Sequence, residues 1–389
     1  MAALTLWRRM AMRSAGKALV AALVITMPLV WAAVMHALHQ PTYIHSVQED
    51  GWLEWMSAWA FALAGICFSR QAMMQRNNGR SYRWLSCCLA LFCILVAVEE
   101  ISWGQRVHGF LPPDYFLANN GQLEFNLHNM VASPIRKLLL NSIAIGYGVV
   151  LPLLFYQPRA RRRLLRLGIW APPALLIPGF AAASVTYMLY PWPFTGELVE
   201  LMLALGFLFI AITGWHQSRR NKPPWILISA PALLAATGLV AGLGAASGWL
   251  SARGRPGQHA RISIAAAESE ALVRDFSEMI DQRAANKERS CNMHRRIYTW
   301  AQQNLSSKAG ATEFAQFQSL EPSSQRSHYF LDPWNMPYWV RRTCTSDETR
   351  LTIYSFGPNR QRDSITHRLI GDDIGSTRRL QRPQAPTNR

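Results

Sequence analysis

The chain has 389 residues, a formal net charge of +17 and a mean hydropathy of +0.02. That length allows two or three domains, and the near-zero mean hydropathy averages an apolar part, residues 18–250, with a polar remainder. The positive charge does not indicate a nucleic-acid partner, because basic residues in the short loops of a membrane protein mark its topology and contact the lipid of the cytoplasmic leaflet. We therefore expect a lipid bilayer, and no nucleic acid, as partner.

Seven apolar stretches in residues 1–250 have about the 20-residue length needed to cross a membrane. The first follows a basic start, as a signal peptide would, but its apolar run is long and no small-x-small cleavage site follows it, so we expect an uncleaved anchor. The predicted fold of 1–250 is an all-α membrane bundle of about seven transmembrane helices. The stretches are residues 18–38, 51–69, 84–101, 138–156, 169–190, 196–214 and 225–250.

Charge is distributed unevenly between the two ends of these spans. All nine carboxylates of residues 1–250 fall at one side, and all basic residues except Arg106, Arg136 and Lys137 fall at the other. Because Lys and Arg in short loops mark the cytoplasmic side, the amino terminus is predicted to be cytoplasmic. An odd number of spans then places the carboxyl-terminal domain on the non-cytoplasmic side.

Carboxylates gather at the predicted non-cytoplasmic ends of several helices. An ionisable residue at a membrane edge is costly and therefore marks a candidate site. The candidate catalytic residues are Glu99, Glu100, Glu124, His128, Glu197 and Glu200.

Local geometry connects some of these residues. If the third span stays helical to its end, residues three or four apart share one face, and a helix over the second acidic stretch would bring Glu124 next to His128. The residues on that face of the third span are Glu99, Ser102, Trp103 and Arg106.

Two chemistries fit such a cluster. Crowded carboxylates cannot all ionise in a poorly solvated pocket, so one of them could stay protonated and act as a general acid. Alternatively, carboxylates and His128 could hold a divalent metal that activates water or polarises a phosphate ester. The structural alternative is an interfacial position, since Glu and Trp are common where lipid headgroups meet water, and for Glu49, Asp50 and Asp114 we favour it.

The same stretches carry a resemblance. Residues 99–106 (Glu-Glu-Ile-Ser-Trp-Gly-Gln-Arg) and 120–129 (Asn-Gly-Gln-Leu-Glu-Phe-Asn-Leu-His-Asn) look like the recurring signature of a bacterial multi-pass membrane family without an assigned activity. The resemblance covers spans two to six and implies only that the two stretches belong together.

The composition changes after residue 250. Residues 251–261 contain Arg-Gly-Arg-Pro-Gly and are predicted to be a linker. Helical apolar patterns follow over 262–282 and 292–304, and runs of β-branched and aromatic residues near 338–342 and 350–355 indicate strands. We expect a small α+β domain over 262–375 and a disordered basic tail over 376–389.

Three motifs of this domain, in order, resemble the globular head of the type II secretion major pseudopilins. They are Asp332-Pro333-Trp334-Asn335-Met336-Pro337-Tyr338, Ser355-Phe356-Gly357-Pro358-Asn359 and Gly371-Asp372-Asp373-Ile374. The resemblance implies a small α+β head whose last loop binds calcium. No prepilin leader is recognisable, so we expect the head to act as a borrowed docking or binding module and not as an ordinary fibre subunit.

The resemblance also implies the calcium ligands. They are the main chain at Ser355 and Phe356 and the side chains of Asn359, Asp372 and Asp373, and oxygen-only ligation suits calcium. The family has Asp at the position of Asn359, so this chain lacks one negative charge there. Arg360 and Arg362 follow, and their positive charges oppose a bound cation. Asp363 could compensate. The alternative is a loop closed by hydrogen bonds without a metal.

Two cysteines, Cys291 and Cys344, lie outside the membrane half. In an oxidising periplasm such a pair is predicted to form a disulfide. The other four, Cys67, Cys87, Cys88 and Cys93, are interpreted as small packing residues.

Two functions stay open, and a transporter is the weaker third. The first is a membrane anchor whose pseudopilin-like domain docks onto secretion, pilus or envelope machinery. The second is an integral membrane enzyme that acts on a lipid or lipid-linked substrate at the periplasmic face. If Glu54, Glu99, Glu124, His128 and Glu197 line one cavity, the enzyme is favoured. If they fan outward to the headgroups, the anchor is favoured.

Overall fold

A computed structural model describes residues 2–48, 51–75, 83–108, 110–120, 123–218, 230–252, 258–284, 293–304, 324–344, 348–364 and 368–380. The chain forms two compact units. We call Met1–Gly104 with Phe125–Leu250 the helical unit, and Gln105–Glu124 with Ser251–Arg389 the C-terminal unit.

The helices number fifteen within the described residues, and three more short stretches form 3₁₀ turns. In chain order they are α1 (Ala2–Leu38), α2 (Gln40–Val47), α3 (Trp52–Met74), α4 (Arg83–Glu100), α5 (Gln105–His108), α6 (Asp114–Asn119), α7 (Ser133–Asn141), α8 (Leu151–Leu154), α9 (Pro158–Arg166), α10 (Ile177–Leu189), α11 (Thr195–Ser218), α12 (Ala230–Ala252), α13 (Gln258–Ala284), α14 (Ile297–Asn304) and α15 (Ser324–Tyr329).

Four helices in the described ranges are long and apolar enough to cross a membrane, which supports a membrane protein but does not reach seven spans. They are Leu19–Leu38, Ser133–Leu154, Thr195–Gly214 and Pro231–Leu250. The second continues from α7 through a π-helical stretch, Ser142–Val150, into α8. Of the other predicted spans, α3 has 23 residues, α4 has 18 residues that include Arg83, Glu99 and Glu100, and the apolar segment of α10 is short.

Helix α11 is the centre of the helical unit. Of its apolar segment, Thr195–Gly214, 78% is buried within the protein, compared with 17% of Ser133–Leu154. It packs against α3, α10 and α1. Close approach to α10 depends on Gly206, where a Cβ atom would lie 2.7 Å from the Phe180 ring. The ring of Phe207 stacks on Tyr147 with centroids 5.6 Å apart.

The C-terminal unit contains an antiparallel sheet of four strands in the order β1-β2-β3-β4. Helix α13 packs against β3 and β4. The core between helices and sheet is apolar, because α13 and α14 present their apolar faces to alternate residues of the strands. This confirms a small sheet near the carboxyl terminus. The strands are β1 (Met293–Arg296), β2 (Trp339–Cys344), β3 (Thr349–Ser355) and β4 (Ile374–Leu380), and the core includes Leu272, Phe276, Ile297, Trp300, Val340, Leu351 and Ile353.

Two sequence predictions for this unit need correction. The helix predicted over 292–304 begins only at Ile297, because Met293–Arg296 pair with β2 as a strand. The tail predicted to be disordered from Ser376 forms strand β4 as far as Leu380, and residues 381–389 lie outside the described residues. The two arginines of β4 are paired with other residues of the unit: Arg379 forms an ion pair with Glu348 at 3.1 Å, and Arg378 donates to the Ser277 hydroxyl at 2.9 Å.

Residues 105–124, predicted to be a loop between two spans, belong to the C-terminal unit. Leu117 and Leu123 are buried there against Tyr329 and Leu331. The sequence gives a physical reason, because Leu111, Phe116, Leu117 and Leu123 are apolar enough to need cover.

Candidate functional site

Helix α4 ends at Glu100, and the chain then turns sharply. Ser102, Trp103 and Gly104 all have positive φ, of 47°, 55° and 76°. Such a conformation costs a non-glycine residue about 1 kcal/mol or more, so contacts must hold it. The Asn126 amide donates to the Ser102 hydroxyl at 3.1 Å, and Gly104 N–H donates to Ile101 O at 2.8 Å. The condition under which Ser102, Trp103 and Arg106 would share a helical face with Glu99 is therefore not met, because the helix ends at Glu100.

The Glu99 carboxylate binds the stretch that follows residue 125. Its Oε2 accepts hydrogen bonds from the main-chain N–H groups of Leu127 at 2.6 Å and His128 at 3.2 Å. Its Oε1 accepts a hydrogen bond from Trp103 Nε1 at 2.7 Å. The His128 Nδ1 atom lies 3.6 Å from Oε2. Glu99 therefore fixes both the main chain and the imidazole of His128.

Glu200 approaches the same histidine from α11. It interacts electrostatically with His128 and Arg136. Arg136 donates to Asn129 Oδ1 at 3.3 Å and interacts electrostatically with Tyr187 of α10. Its Nε atom is buried and has no hydrogen-bond partner among the described residues. We call Glu99, His128, Asn129, Arg136, Tyr187 and Glu200 the Glu99–His128 cluster.

Glu100 does not belong to this cluster. It is buried, with 6% of its surface exposed, and accepts a hydrogen bond from the Ser57 hydroxyl of α3 at 2.6 Å. The same hydroxyl lies 2.8 Å from the main-chain oxygen of Glu54. Glu100 thus connects α4 to α3. Glu54 and Glu197 are half-buried in the first turns of α3 and α11.

Glu124 is not brought to His128 by a helix. Residues 123–127 are not helical, and only a short 3₁₀ turn, His128–Met130, follows them. Glu124 is buried within the C-terminal unit, where its main-chain oxygen accepts a hydrogen bond from the Asn120 amide at 2.8 Å. The four-residue spacing was misleading because it places two side chains together only on a helix, and residues 124–127 do not form one.

The predicted calcium loop of the C-terminal unit is closed by its own hydrogen bonds. The Asp363 carboxylate accepts from Asn359 Nδ2 at 3.0 Å and from Asp372 N–H at 2.6 Å. Asp373 Oδ2 accepts from Ser364 N–H at 2.7 Å. Ser355 uses its hydroxyl elsewhere, as a donor to Asp332, and Phe356 is buried.

One feature of this loop still suits a hard cation. Asp373 Oδ1 is buried and lacks a hydrogen-bond partner within the described part of the chain, and burial raises the pKa of Asp373 to about 6. The nearby carboxylate of Asp363 also raises this pKa. Two adjacent carboxylates with an unpaired oxygen are a donor set that calcium accepts. No group of three or more His, Cys, Asp or Glu side chains in the described residues is arranged for a metal, and calcium here stays a prediction.

The Asp-Pro-Trp motif has a structural role. Asp332 is fully buried, and its Oδ1 accepts hydrogen bonds from Trp334 N–H and Met336 N–H, each at 2.8 Å. Burial raises the pKa of Asp332 to about 6, against the effect of these hydrogen bonds. This carboxylate closes the turn before β2 and connects it, through Ser355, to the end of β3.

The predicted disulfide cannot be followed to both partners. Cys344 is the last residue of β2, whereas Cys291 lies outside the described residues. Within the described chain the free cysteines are Cys67, Cys87, Cys88 and Cys93. The pairing of Cys291 with Cys344 stays a prediction.

No family model, curated protein or solved structure matches this chain. The two family resemblances of the sequence are therefore not confirmed.

Sequence reasoning missed Arg136 and Tyr187. A signal for Arg136 was present, because it is one of three basic residues on the predicted non-cytoplasmic side. A cation placed against the positive-inside rule needs polar or negative groups nearby. Here Asn129 accepts a hydrogen bond from Arg136, and Glu200 interacts with it electrostatically. No comparable signal marks Tyr187, which lies in an apolar helix.

Proposed function

We propose that the helical unit lies in the bacterial inner membrane with about seven spans and a cytoplasmic amino terminus, and that the C-terminal unit is periplasmic. The four apolar helices support this arrangement. The lengths of α3 and α4 and the uneven distribution of charge along residues 1–250 support the remaining spans.

For the activity, we propose acid–base chemistry on a lipid or lipid-linked substrate at the Glu99–His128 cluster. The observation that carries this proposal is the convergence of Glu99, His128, Glu200 and Arg136 from separate parts of the chain. A carboxylate placed for contact with headgroups alone would not bind the imidazole of a residue 29 positions away, as Glu99 does. The membrane edge is also where the headgroup of a lipid is found.

Each residue then has a role. Glu99 orients the His128 imidazole through its Nδ1 side, as a carboxylate orients histidine in many proton-transfer sites. His128 takes a proton from a hydroxyl group or a water molecule, or returns one. Arg136 pairs with a phosphate of the substrate, because a guanidinium binds phosphate through fixed N–H donors, and Glu200 keeps Arg136 and His128 close together. A divalent metal bound by these carboxylates stays a separate proposal.

The test uses the full chain in nanodiscs made from bacterial polar lipids, with products followed by mass spectrometry. His128→Gln and Glu99→Gln should each lower turnover by about 100-fold or more, the usual contribution of an acid–base residue. The matched controls are His108→Gln and Glu270→Gln, both at exposed positions. Absence of any wild-type product, or equal turnover in the cluster and control variants, would contradict the proposal.

A second function concerns the C-terminal unit. We propose that it docks onto a pilin-like fibre subunit of the secretion, pilus or envelope machinery. Support comes from the packing of α13 on an antiparallel sheet, the α+β arrangement that the pseudopilin resemblance implies. The exposed side chain of Ile370, near the third motif, is a suitable contact point.

Docking is tested in native membranes with a photo-crosslinker at Ile370 of the full chain. We expect an adduct with a pilin-like protein, which mass spectrometry identifies by its peptides. The same group at Glu278, which is exposed on α13, serves as control. Adducts with lipid alone, or the same adducts from both positions, would remove support for docking.

A further inference from the structure

The segment 105–124 packs as part of the C-terminal unit, although the chain before and after it belongs to the helical unit. Its Leu117 and Leu123 are buried with Tyr329 and Leu331, and Leu111 and Tyr298 pack at the margin. The Tyr329 hydroxyl donates to the main-chain oxygen of Asp114 at 3.3 Å. Burial of two leucine side chains stabilises this attachment.

The two ends of the segment are held side by side by successive contacts. Near the two ends of the segment, the Gln105 amide donates to Leu123 O at 3.3 Å. Three residues outward on each side, the Asn126 amide donates to the Ser102 hydroxyl at 3.1 Å. Gln105, Ser102 and Asn126 are all buried, so these contacts are shielded from competing water.

The next contact in this series is the candidate site. Glu99 lies three residues before Ser102, and it accepts the N–H groups of Leu127 and His128, which directly follow Asn126. The contacts are therefore nested in the manner of a hairpin: 105 with 123, 102 with 126, and 99 with 127 and 128. Glu99 and His128 therefore lie at the outer end of the same series of contacts.

We propose that the C-terminal unit positions His128 against Glu99 by holding segment 105–124. The C-terminal unit is then a positioning element of the cluster, and a ligand or partner that releases the segment separates the two side chains. This deepens the proposed acid–base function by adding its regulation. The test below measures geometry and no product, so its failure is distinct from a failure of that function.

The experiment is hydrogen exchange of the full chain in nanodiscs, followed by mass spectrometry. Leu117→Asp places a charge at the buried position of Leu117, and the expected result is hydrogen exchange at least 10-fold faster in residues 125–131. Tyr115→Asp is the matched control, because Tyr115 is on the same segment and 64% exposed. It should leave 125–131 unchanged. Faster exchange in 110–120 with unchanged exchange in 125–131 would overturn the proposal.

Two further measurements keep the test decisive. Exchange in residues 339–355, which cover β2 and β3, shows whether the sheet remains folded. If Leu117→Asp exposes that sheet, Leu117→Ala replaces it and the same two outcomes decide. Coupling is also reciprocal, so Glu99→Ala should increase exchange in residues 114–120. If hydrogen exchange in residues 114–120 is unchanged in Glu99→Ala, the coupling is contradicted.

Discussion

Glu99 of the helical unit and Asp332 of the C-terminal unit make the same kind of contact in different surroundings. Each carboxylate accepts hydrogen bonds from two main-chain N–H groups and one side chain. Asp332 has no exposed surface, and its amides come from the same turn, two and four residues away. Glu99 has a side chain that is 17% exposed and reaches amides 28 and 29 residues away.

The difference separates a folding role from a functional one. A fully buried carboxylate whose acceptor positions are occupied by its own turn and by Ser355 has a structural role. A partly exposed carboxylate that joins distant segments beside an imidazole can exchange protons and respond to movement of either segment. The same hydrogen-bond pattern therefore marks a structural residue at position 332 and a candidate functional residue at position 99.

The largest effect is expected for Asp332→Ala. The change leaves two buried N–H groups and the Ser355 hydroxyl without their acceptor, which should lower the free energy of unfolding of the C-terminal unit by about 3 kcal/mol. Pulse proteolysis of the full chain in urea measures this loss. Glu278→Ala, at an exposed position of α13, is the control, and a loss below about 1 kcal/mol would remove the structural role given to Asp332.

Glu99→Ala should have the next largest effect. It removes the acceptor of the Leu127 and His128 amides, and the protection of these amides against hydrogen exchange should fall by about 2 kcal/mol. Glu99→Gln keeps one oxygen acceptor and should lose less. Equal protection in all three proteins would show that the amides are held by other groups.

Some of this could be predicted from the sequence, because membrane spans and strands depend on local patterns. Apolar length found the four long helices, and β-branched runs found β2 and β3. The placement of residues 105–124 could not be predicted, since apolar loop residues do not show which surface covers them. The different roles of Glu99 and Glu100 also depend on the turn after the helix, where Ser102, Trp103 and Gly104 have positive φ angles. Of these three residues, only the glycine indicates such a turn in the sequence.

The pH dependence of the C-terminal unit combines two opposite effects. Burial raises the pKa of Asp332 and Asp373 from 3.8 to about 6, so these groups favour unfolding above pH 6 and cease to do so as the pH falls toward 4. Burial lowers the pKa of His294 from 6.5 to about 3, an effect that nearby Arg362 and Arg341 reinforce. Neutral His294 therefore favours the folded state above pH 6.5, and this contribution is lost as the pH falls from 6.5 toward 3.

His294→Asn should separate these effects. Without the histidine, the melting temperature of the C-terminal unit should rise by a few degrees between pH 7 and pH 5, whereas that of the wild type should rise less. Adding Asp332→Asn should reduce the rise. Parallel pH profiles for wild type and His294→Asn would contradict the burial of a neutral imidazole beside the Tyr354 hydroxyl, 2.8 Å away.

A smaller effect is expected for calcium. If Asp373 and Asp363 hold the ion with a dissociation constant of about 0.1 mM, typical of extracellular sites, 1 mM calcium stabilises the C-terminal unit by about 1 kcal/mol. Asp373→Asn should abolish the shift in melting temperature, and Glu278→Gln should keep it. Magnesium at the same concentration tests specificity, and no calcium shift in the wild type would leave a loop closed by hydrogen bonds alone.

The smallest effect concerns Glu100, the neighbour of Glu99. Its hydrogen bond from Ser57 joins α4 to α3, and a double-mutant cycle of Ser57→Ala and Glu100→Gln should give a coupling energy of about 0.5 to 1 kcal/mol for unfolding of the helical unit in detergent. Ser263→Ala is the control, since among the described residues that hydroxyl donates to its own helix, at His259 O. The same cycle between Ser57 and Glu99 should give no coupling, because Glu99 binds the segment after residue 125. Coupling of Ser57 to both acids would mean that the two glutamates act as one group, and the difference between a helix-joining Glu100 and a segment-holding Glu99 would be lost.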